Sequence, residues 1–268
     1  MVPAPPPRHE TQRSPAVQLE CLGQSGFRFQ LGLVSAFIDP YLSDRVAAAH
    51  GEDFRRMVPP PYTPEDAPPA DWILLTHAHD DHCDPDTLRT LCARSPAAKV
   101  LCPGEVARSL LKLDIAPARI VVAEQIWTQL GEETRVHAVP AAHTEPERDA
   151  DGRHRFVGYV IEYRGRRIYH AGDTSPHETV FEALKRLAPI DVALLPVNER
   201  NYYRARRGIV GNMSVREAFQ MAADLDVQTL VPIHWDLFAP NSVFREELFL
   251  LYDRLRPPFH MVLGPTEL

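Results

Sequence analysis

Six consecutive residues constrain this chain more than any other feature: His77-Ala78-His79-Asp80-Asp81-His82 packs three imidazoles and two carboxylates into one short stretch. They follow a run at 72–76 that reads as a strand. They precede Asp84-Pro85, a helix start with an N-cap side chain and proline at the first helical position. Imidazole and carboxylate are ligands that zinc or manganese accepts, and a turn at a strand end lets side chains at i, i+2, i+4 and i+5 converge. The spacing HxHxDH therefore points to a metal centre, and one such loop can feed two ions. A solvated polar loop or a cap cluster would explain the polarity, but not this density of ligand-type side chains beside a buried strand.

Three more candidates stand at strand ends: His143 after 139–142, Asp173 after 168–172, and His234 after 230–233. Singly each is weak, because a lone histidine at a strand end is more often structural than a ligand. With the first motif they make four strands that each deliver a polar residue at the C-terminal end, as in a site built on a rigid scaffold and lined by loops. His170 and His177 flank Asp173 and are expected to support it or to lie at the surface.

The periodicity predicts an α/β fold. Strands are expected at 17–22, 27–31, 34–39, 72–76, 99–102, 119–123, 134–141, 156–163, 167–171, 192–196 and 229–233. Helices are expected at 85–94, 105–113, 178–187, 214–225 and 244–255, the fourth opening on Ser214 and Glu217 at capping-box spacing. Strand-rich halves, each followed by helices, fit a four-layer αββα sandwich. Residues 1–15 carry five prolines and little that could enter a core, so a disordered tail is expected there, with one domain over 16–268. Six prolines between 59 and 69 exclude long regular elements and leave 43–69 as a connecting loop or a lid.

Of the 268 residues, 44% are hydrophobic and 24% charged, which excludes collagen-like and wholly disordered chains. The net charge of −7 argues against a broad grip on nucleic acid, which needs many phosphate contacts. The apolar runs are too short to span a bilayer and no leader pattern stands out, so the expectation is a cytoplasmic protein without a membrane partner. Cys21, Cys83, Cys92 and Cys102 show no paired spacing and read as reduced thiols.

These residues resemble the metallo-β-lactamase superfamily over 22–234. His77, His79, Asp81 and His82 fit its first metal motif, His143 its following lone histidine, Gly172-Asp173-Thr174 its bridging aspartate, and His234 its last ligand; no ligand position is vacant. Within the superfamily the chain is similar to the L-ascorbate-6-phosphate lactonase branch, through LGQSGF at 22–27, DPYLSD at 39–44, YHAGDT at 169–174, PIHWDLF at 232–238, and the segment 198–214. The resemblance implies two divalent ions, manganese or zinc. One would be held by His77, His79 and His143, the other by Asp81, His82 and His234, with Asp173 bridging. It implies hydrolysis by a metal-bound hydroxide, Asp81 orienting the nucleophile or carrying a proton, and a homo-oligomer as a further expectation.

Arg200, Arg204, Arg206 and Arg207 crowd into eight residues beside Tyr202 and Tyr203. If that loop faces the metals it supplies guanidinium forks and aromatic contacts for an anionic small-molecule substrate; otherwise it is a solvated loop or a subunit contact. Asp236 is a candidate partner for a ligand imidazole. The expected activity is opening of a phosphorylated sugar-acid lactone. The alternative is phosphodiester hydrolysis of nuclease or phospholipid type, which the same two-ion site can perform.

Overall fold

The computed structural model describes residues 17–264 and 266–267; the expected tail at 1–15 lies outside them. Its strands are β1 (Gln18–Gly23), β2 (Gly26–Leu31), β3 (Val34–Ile38), β4 (Trp72–Leu74), β5 (Lys99–Cys102), β6 (Ile120–Val122), β7 (Trp127–Gly131), β8 (Thr134–Pro140), β9 (Val157–Tyr163), β10 (Arg166–His170), β11 (Val192–Pro196), β12 (Thr229–Ile233), β13 (His260–Met261) and β14 (Thr266–Glu267). The helices are α1 (Arg45–His50), α2 (Pro85–Arg94), α3 (Gly104–Leu111), α4 (Glu178–Lys185), α5 (Tyr202–Ala205), α6 (Val215–Asp224) and α7 (Arg245–Leu255).

Two seven-stranded sheets result, in the orders β14-β1-β2-β3-β4-β5-β6 and β13-β12-β11-β10-β9-β8-β7. Side chains alternate between faces along a strand, so continuous apolar strands fill two cores at once. Trp72 and Leu74 of β4 enter the core between the sheets with Tyr159, Ile161, Leu194 and Val231. Ile73 and the following Leu75 point the other way, onto Leu88 and Leu91 of α2 and Leu110 of α3. On the far side, Val160, Ala193 and Leu230 pack against Val180 of α4, Phe219 of α6 and Leu248 of α7. The layers are therefore helix, sheet, sheet, helix, as expected.

Strand direction decides where the loops meet. β1 and β3 are each antiparallel to β2, and β3 to β6 run parallel. β8 and β10 are each antiparallel to β9, and β10 to β13 run parallel. The C-terminal ends of β1, β3 and β4 thus open on one edge of the first sheet, and those of β8, β10 and β12 on one edge of the second. Tyr159 of β9 ties the two together by donating its buried hydroxyl to Leu75 O at 2.8 Å, two residues before His77.

The helix starts follow the expected chemistry. Asp84 accepts the Asp86 N–H ahead of Pro85, and Ser214 with Glu217 closes a full capping box. β7, α1 and the two short terminal strands were not expected. β7 lacks a clear alternation, and α1 is a six-residue, alanine-rich element between charged residues. The segment 43–69 is more than a connection, since Val46, His50 and Phe54 line the cleft described below.

Candidate metal centre

Every candidate ligand sits just past a strand on the shared edge. His77, His79, Asp81 and His82 follow β4, His143 follows β8, Asp173 follows β10, and His234 directly follows β12. Donor atoms of His77, His79 and Asp173 lie within 4.8 Å of one another, as do those of Asp81, His82 and His234. Gly172 makes this approach possible. Its φ is +61°, and a Cβ there would lie 2.8 Å from Thr76 Cβ, so a larger residue would push the Asp173 loop away from the histidine loop.

Hydrogen bonds fix which nitrogen of His77, His82 and His143 is left for a ligand. Thr76 has one hydroxyl hydrogen and donates it to Asp39 Oδ2 at 2.6 Å. The 3.0 Å contact between Thr76 Oγ1 and His77 Nδ1 must then be donated by the imidazole, which leaves the lone pair on His77 Nε2. That atom faces His79 Nδ1 at 3.0 Å. His82 Nδ1 donates to the buried Asp39 Oδ2 at 2.7 Å, freeing Nε2. His143 Nδ1 donates to Asn212 Oδ1 at 2.9 Å, Asn212 Nδ2 to Asn198 Oδ1 at 3.0 Å, and Asn198 Nδ2 to Asn241 Oδ1 at 3.2 Å. This chain of amides runs in one sense and ends with the lone pair on His143 Nε2. Such partners set tautomer and ring orientation in metal sites.

The spacing fits a cation. Asp173 Oδ1 is 3.3 Å from both His82 Nε2 and His234 Nε2, and Asp81 Oδ2 is 3.4 Å from His234 Nε2 and 3.7 Å from His82 Nε2. In a regular tetrahedron, edges of that length put the centre about 2.1 Å from each vertex, the reach of imidazole and carboxylate to zinc. His82 Nε2 and Asp173 Oδ1 are buried without a hydrogen-bond partner among the described residues, an arrangement that is costly unless a ligand completes it. His143 stands slightly apart, its ring centroid 5.2 Å from that of His79 and 5.8 Å from that of His77.

Electrostatics divide the cluster. Burial holds His77 well below its ordinary pKa, with repulsion from His82 and His79 adding to it, and burial also lowers His79. Burial opposes the imidazolium of His82 too, but Asp173, Asp81 and Asp39 outweigh it and raise that pKa well above the ordinary range. His234 is pushed up to about 9 against the same burial, by Asp173 and Asp81. Burial works against ionising Asp81 and Asp173, yet His82 and His234 hold both carboxyls low. Buried carboxylates thus demand positive charge, which protons on His82 and His234 supply and a cation would replace.

A cleft of about 470 Å³ reaches this cluster, lined by His79, Asp80 and Asp81 together with Phe54, Phe238 and Arg207.

The Beta-lactamase superfamily domain matches residues 36–235 of this sequence, from within β3 to just past His234. The chain belongs to that superfamily. It is 30% identical over 240 residues to a UPF0173 metal-dependent hydrolase of Pyrococcus furiosus, covering 86% of this chain and 90% of that protein. It is 25% identical over 228 residues to N-acyl-phosphatidylethanolamine-hydrolyzing phospholipase D 1 of Caenorhabditis elegans, covering 81% of this chain and 63% of that enzyme. The isothiocyanate hydrolase from Delia radicum gut bacteria shares the fold, with a TM-score of 0.74 at 18% identity over 94% of this chain and 98% of that one.

As a metal-dependent hydrolase of the beta-lactamase superfamily, the chain gathers six of the seven expected ligands into two close donor groups, with the His143 ring beside the first. The expected substrate loop fares differently. Arg207 lines the cleft, its Nη2 2.7 Å from Asp53 Oδ2. Arg204 does not; it braces the loop by donating to Glu199 O at 2.7 Å and Ser242 O at 2.5 Å. Tyr202 and Tyr203 are 67% and 79% exposed and pack edge to face on each other, while Arg206 lies 5.8 Å over the Tyr202 ring. None of these four residues lines the cleft; Tyr202, Tyr203 and Arg204 belong to the short helix α5, capped by the Asn201 side chain. Asp236 is also corrected: it accepts the backbone N–H of Gln24 at 3.3 Å rather than an imidazole. His170 braces the Asp173 loop, with Nε2 donating to Ser25 O at 2.8 Å and Nδ1 accepting the Gly172 N–H at 3.2 Å, and His177 caps α4.

Sequence reasoning missed Asp39, Thr76, Asn212 and Gln24, whose side chains hydrogen-bond to the candidate ligands. Asp39 and Gln24 lie in DPYLSD and LGQSGF, segments that carried the family likeness without an assigned role.

Proposed function

We propose that this hydrolase opens a small lactone bearing one anionic group, such as a phosphorylated sugar-acid lactone, in a site with two divalent cations, manganese or zinc. His77, His79 and His143 would hold one, Asp81, His82 and His234 the other, and Asp173 would join them. Bound cations would lower the pKa of water and stabilise negative charge developing on the attacked carbonyl.

The protein's residues do the rest. Asp81 lines the cleft, where its carboxylate takes the proton of the attacking water and passes it to the ring-opened alkoxide. Arg207 meets the anionic group, exchanging Asp53 for the substrate. The apolar wall from Val46, Phe54 and Phe238 packs the carbon skeleton. The observation that carries the reading is the cleft itself: about 470 Å³ with one guanidinium among its lining residues suits a single small anion better than a polyanionic strand.

Phosphodiester cleavage is the second reading, favoured by the likeness to the phospholipase D enzyme. A panel of a phosphorylated sugar lactone, an unphosphorylated lactone and a chromogenic phosphodiester separates the two, with manganese- or zinc-loaded protein and Asp173→Ala as blank. Turnover of the phosphorylated lactone, lost in the blank, supports the proposal. Phosphodiester turnover without lactone turnover replaces it with the second reading.

A further inference from the structure

Gln24 occupies the turn between β1 and β2 with φ at +58°, a backbone region uncommon for a residue other than glycine. Three tethers hold it there. Its N–H donates to Asp236 Oδ1 at 3.3 Å, its carbonyl accepts the His234 N–H at 2.9 Å, and its side-chain Nε2 donates to Asp81 Oδ2 at 2.8 Å. The same Nε2 lies 3.1 Å from His234 Nε2, and the residue is buried. His234, itself at φ +60°, is thus fixed to Gln24 through backbone as well as side chain. Among the described residues, the polar side-chain contacts of Gln24 fall on Asp81 and His234, and none falls on His77, His79 or His143.

We propose that Gln24 is a positioning residue for the pocket of Asp81, His82 and His234. Its amide fixes the direction of the Asp81 carboxylate, and its carbonyl fixes the backbone that presents His234. Gln24 acts through those two side chains and touches neither substrate nor the pocket of His77 and His79. Hydrogen-bonded partners of metal ligands typically carry about 10–100-fold of metal affinity or activity. A glutamine that merely fills the turn would carry none. The inference rests on the two-cation reading and is independent of the substrate.

Calorimetric titration of the metal-free full chain with Mn²⁺ tests it, comparing wild type with Gln24→Met and Gln24→Asn. Methionine keeps the length without the donor. Asparagine accepts a left-handed backbone readily but falls one methylene short of Asp81. Two binding steps are expected in wild type; in both variants the first should persist while the second weakens about 10–100-fold. If Gln24→Met fails to fold, Gln24→Asn carries the comparison. Unchanged steps in a folded variant, equal weakening of both steps, or a single step in wild type would each overturn the proposal. Metal binding is read without substrate, so a failed lactone assay leaves this outcome legible.

Discussion

Asp39 and His82, 43 residues apart in sequence, meet at 2.7 Å with both side chains fully buried. The same carboxylate accepts the Thr76 N–H at 2.8 Å and the Thr76 hydroxyl at 2.6 Å, so one residue at the end of β3 sets both the strand exit and two imidazoles. Asp39→Ala would strand buried donors, each costing about 1–3 kcal/mol. Urea unfolding should show a loss of roughly 3 kcal/mol or more, and metal titration a fall of about 10–100-fold. Full metal affinity in a folded Asp39→Ala protein would remove Asp39 from the account.

The amide chain from Asn241 through Asn198 to Asn212 makes a separate prediction for His143. Asn212→Leu removes the acceptor that fixes the His143 tautomer, and hydrolytic activity should fall about 10–100-fold. Circular dichroism should still show a folded chain. Wild-type activity would mean that His143 needs no such orientation.

Metal-free protein should be most stable near pH 6.5. His234 is raised from 6.5 to about 9 and His82 is raised as well, so the folded state binds protons that the unfolded chain releases. That stabilisation is complete below 6.5 and is lost as pH rises toward 9. His77 and His79 are shifted down, so acid below 6.5 protonates the unfolded chain first and erodes stability from the other side. Melting temperatures of metal-free protein should therefore decline between pH 6.5 and 9, and manganese should flatten that decline because a cation replaces the protons. A flat metal-free profile contradicts the charge arrangement.

Arg207 and Arg204 should behave differently despite their proximity. Arg207→Ala should raise KM for an anionic lactone about tenfold, the effect of losing one exposed charge-assisted contact of roughly 1.4 kcal/mol, with kcat little changed. Arg204→Ala should lower the melting temperature, because it frees the carbonyls of Glu199 and Ser242. Equal effects of both on KM would return the whole loop to substrate binding.

Much of this was legible in the sequence because strand alternation and ligand spacing are local signals. β11 and β12 fall where the apolar runs at 192–196 and 229–233 place them, and the strand-end positions of His143, Asp173 and His234 followed from those strands. What escaped depends on contacts between distant segments. Nothing local to Asp39 reveals that it will meet His82, and nothing local to Asn212 reveals His143. The arginine cluster was legible only in part for a related reason: composition gives the charge of a loop but not which of its side chains reach the cleft, and of the named residues only Arg207 lines it.

The most direct test is the number of metal ions per chain, measured by elemental analysis after manganese or zinc loading and desalting, in wild type, His82→Ala and Asp173→Ala. The two-pocket account predicts two equivalents in wild type, one in His82→Ala, and one or fewer in Asp173→Ala because both pockets draw on that carboxylate. One equivalent in wild type, or two retained in Asp173→Ala, would contradict it.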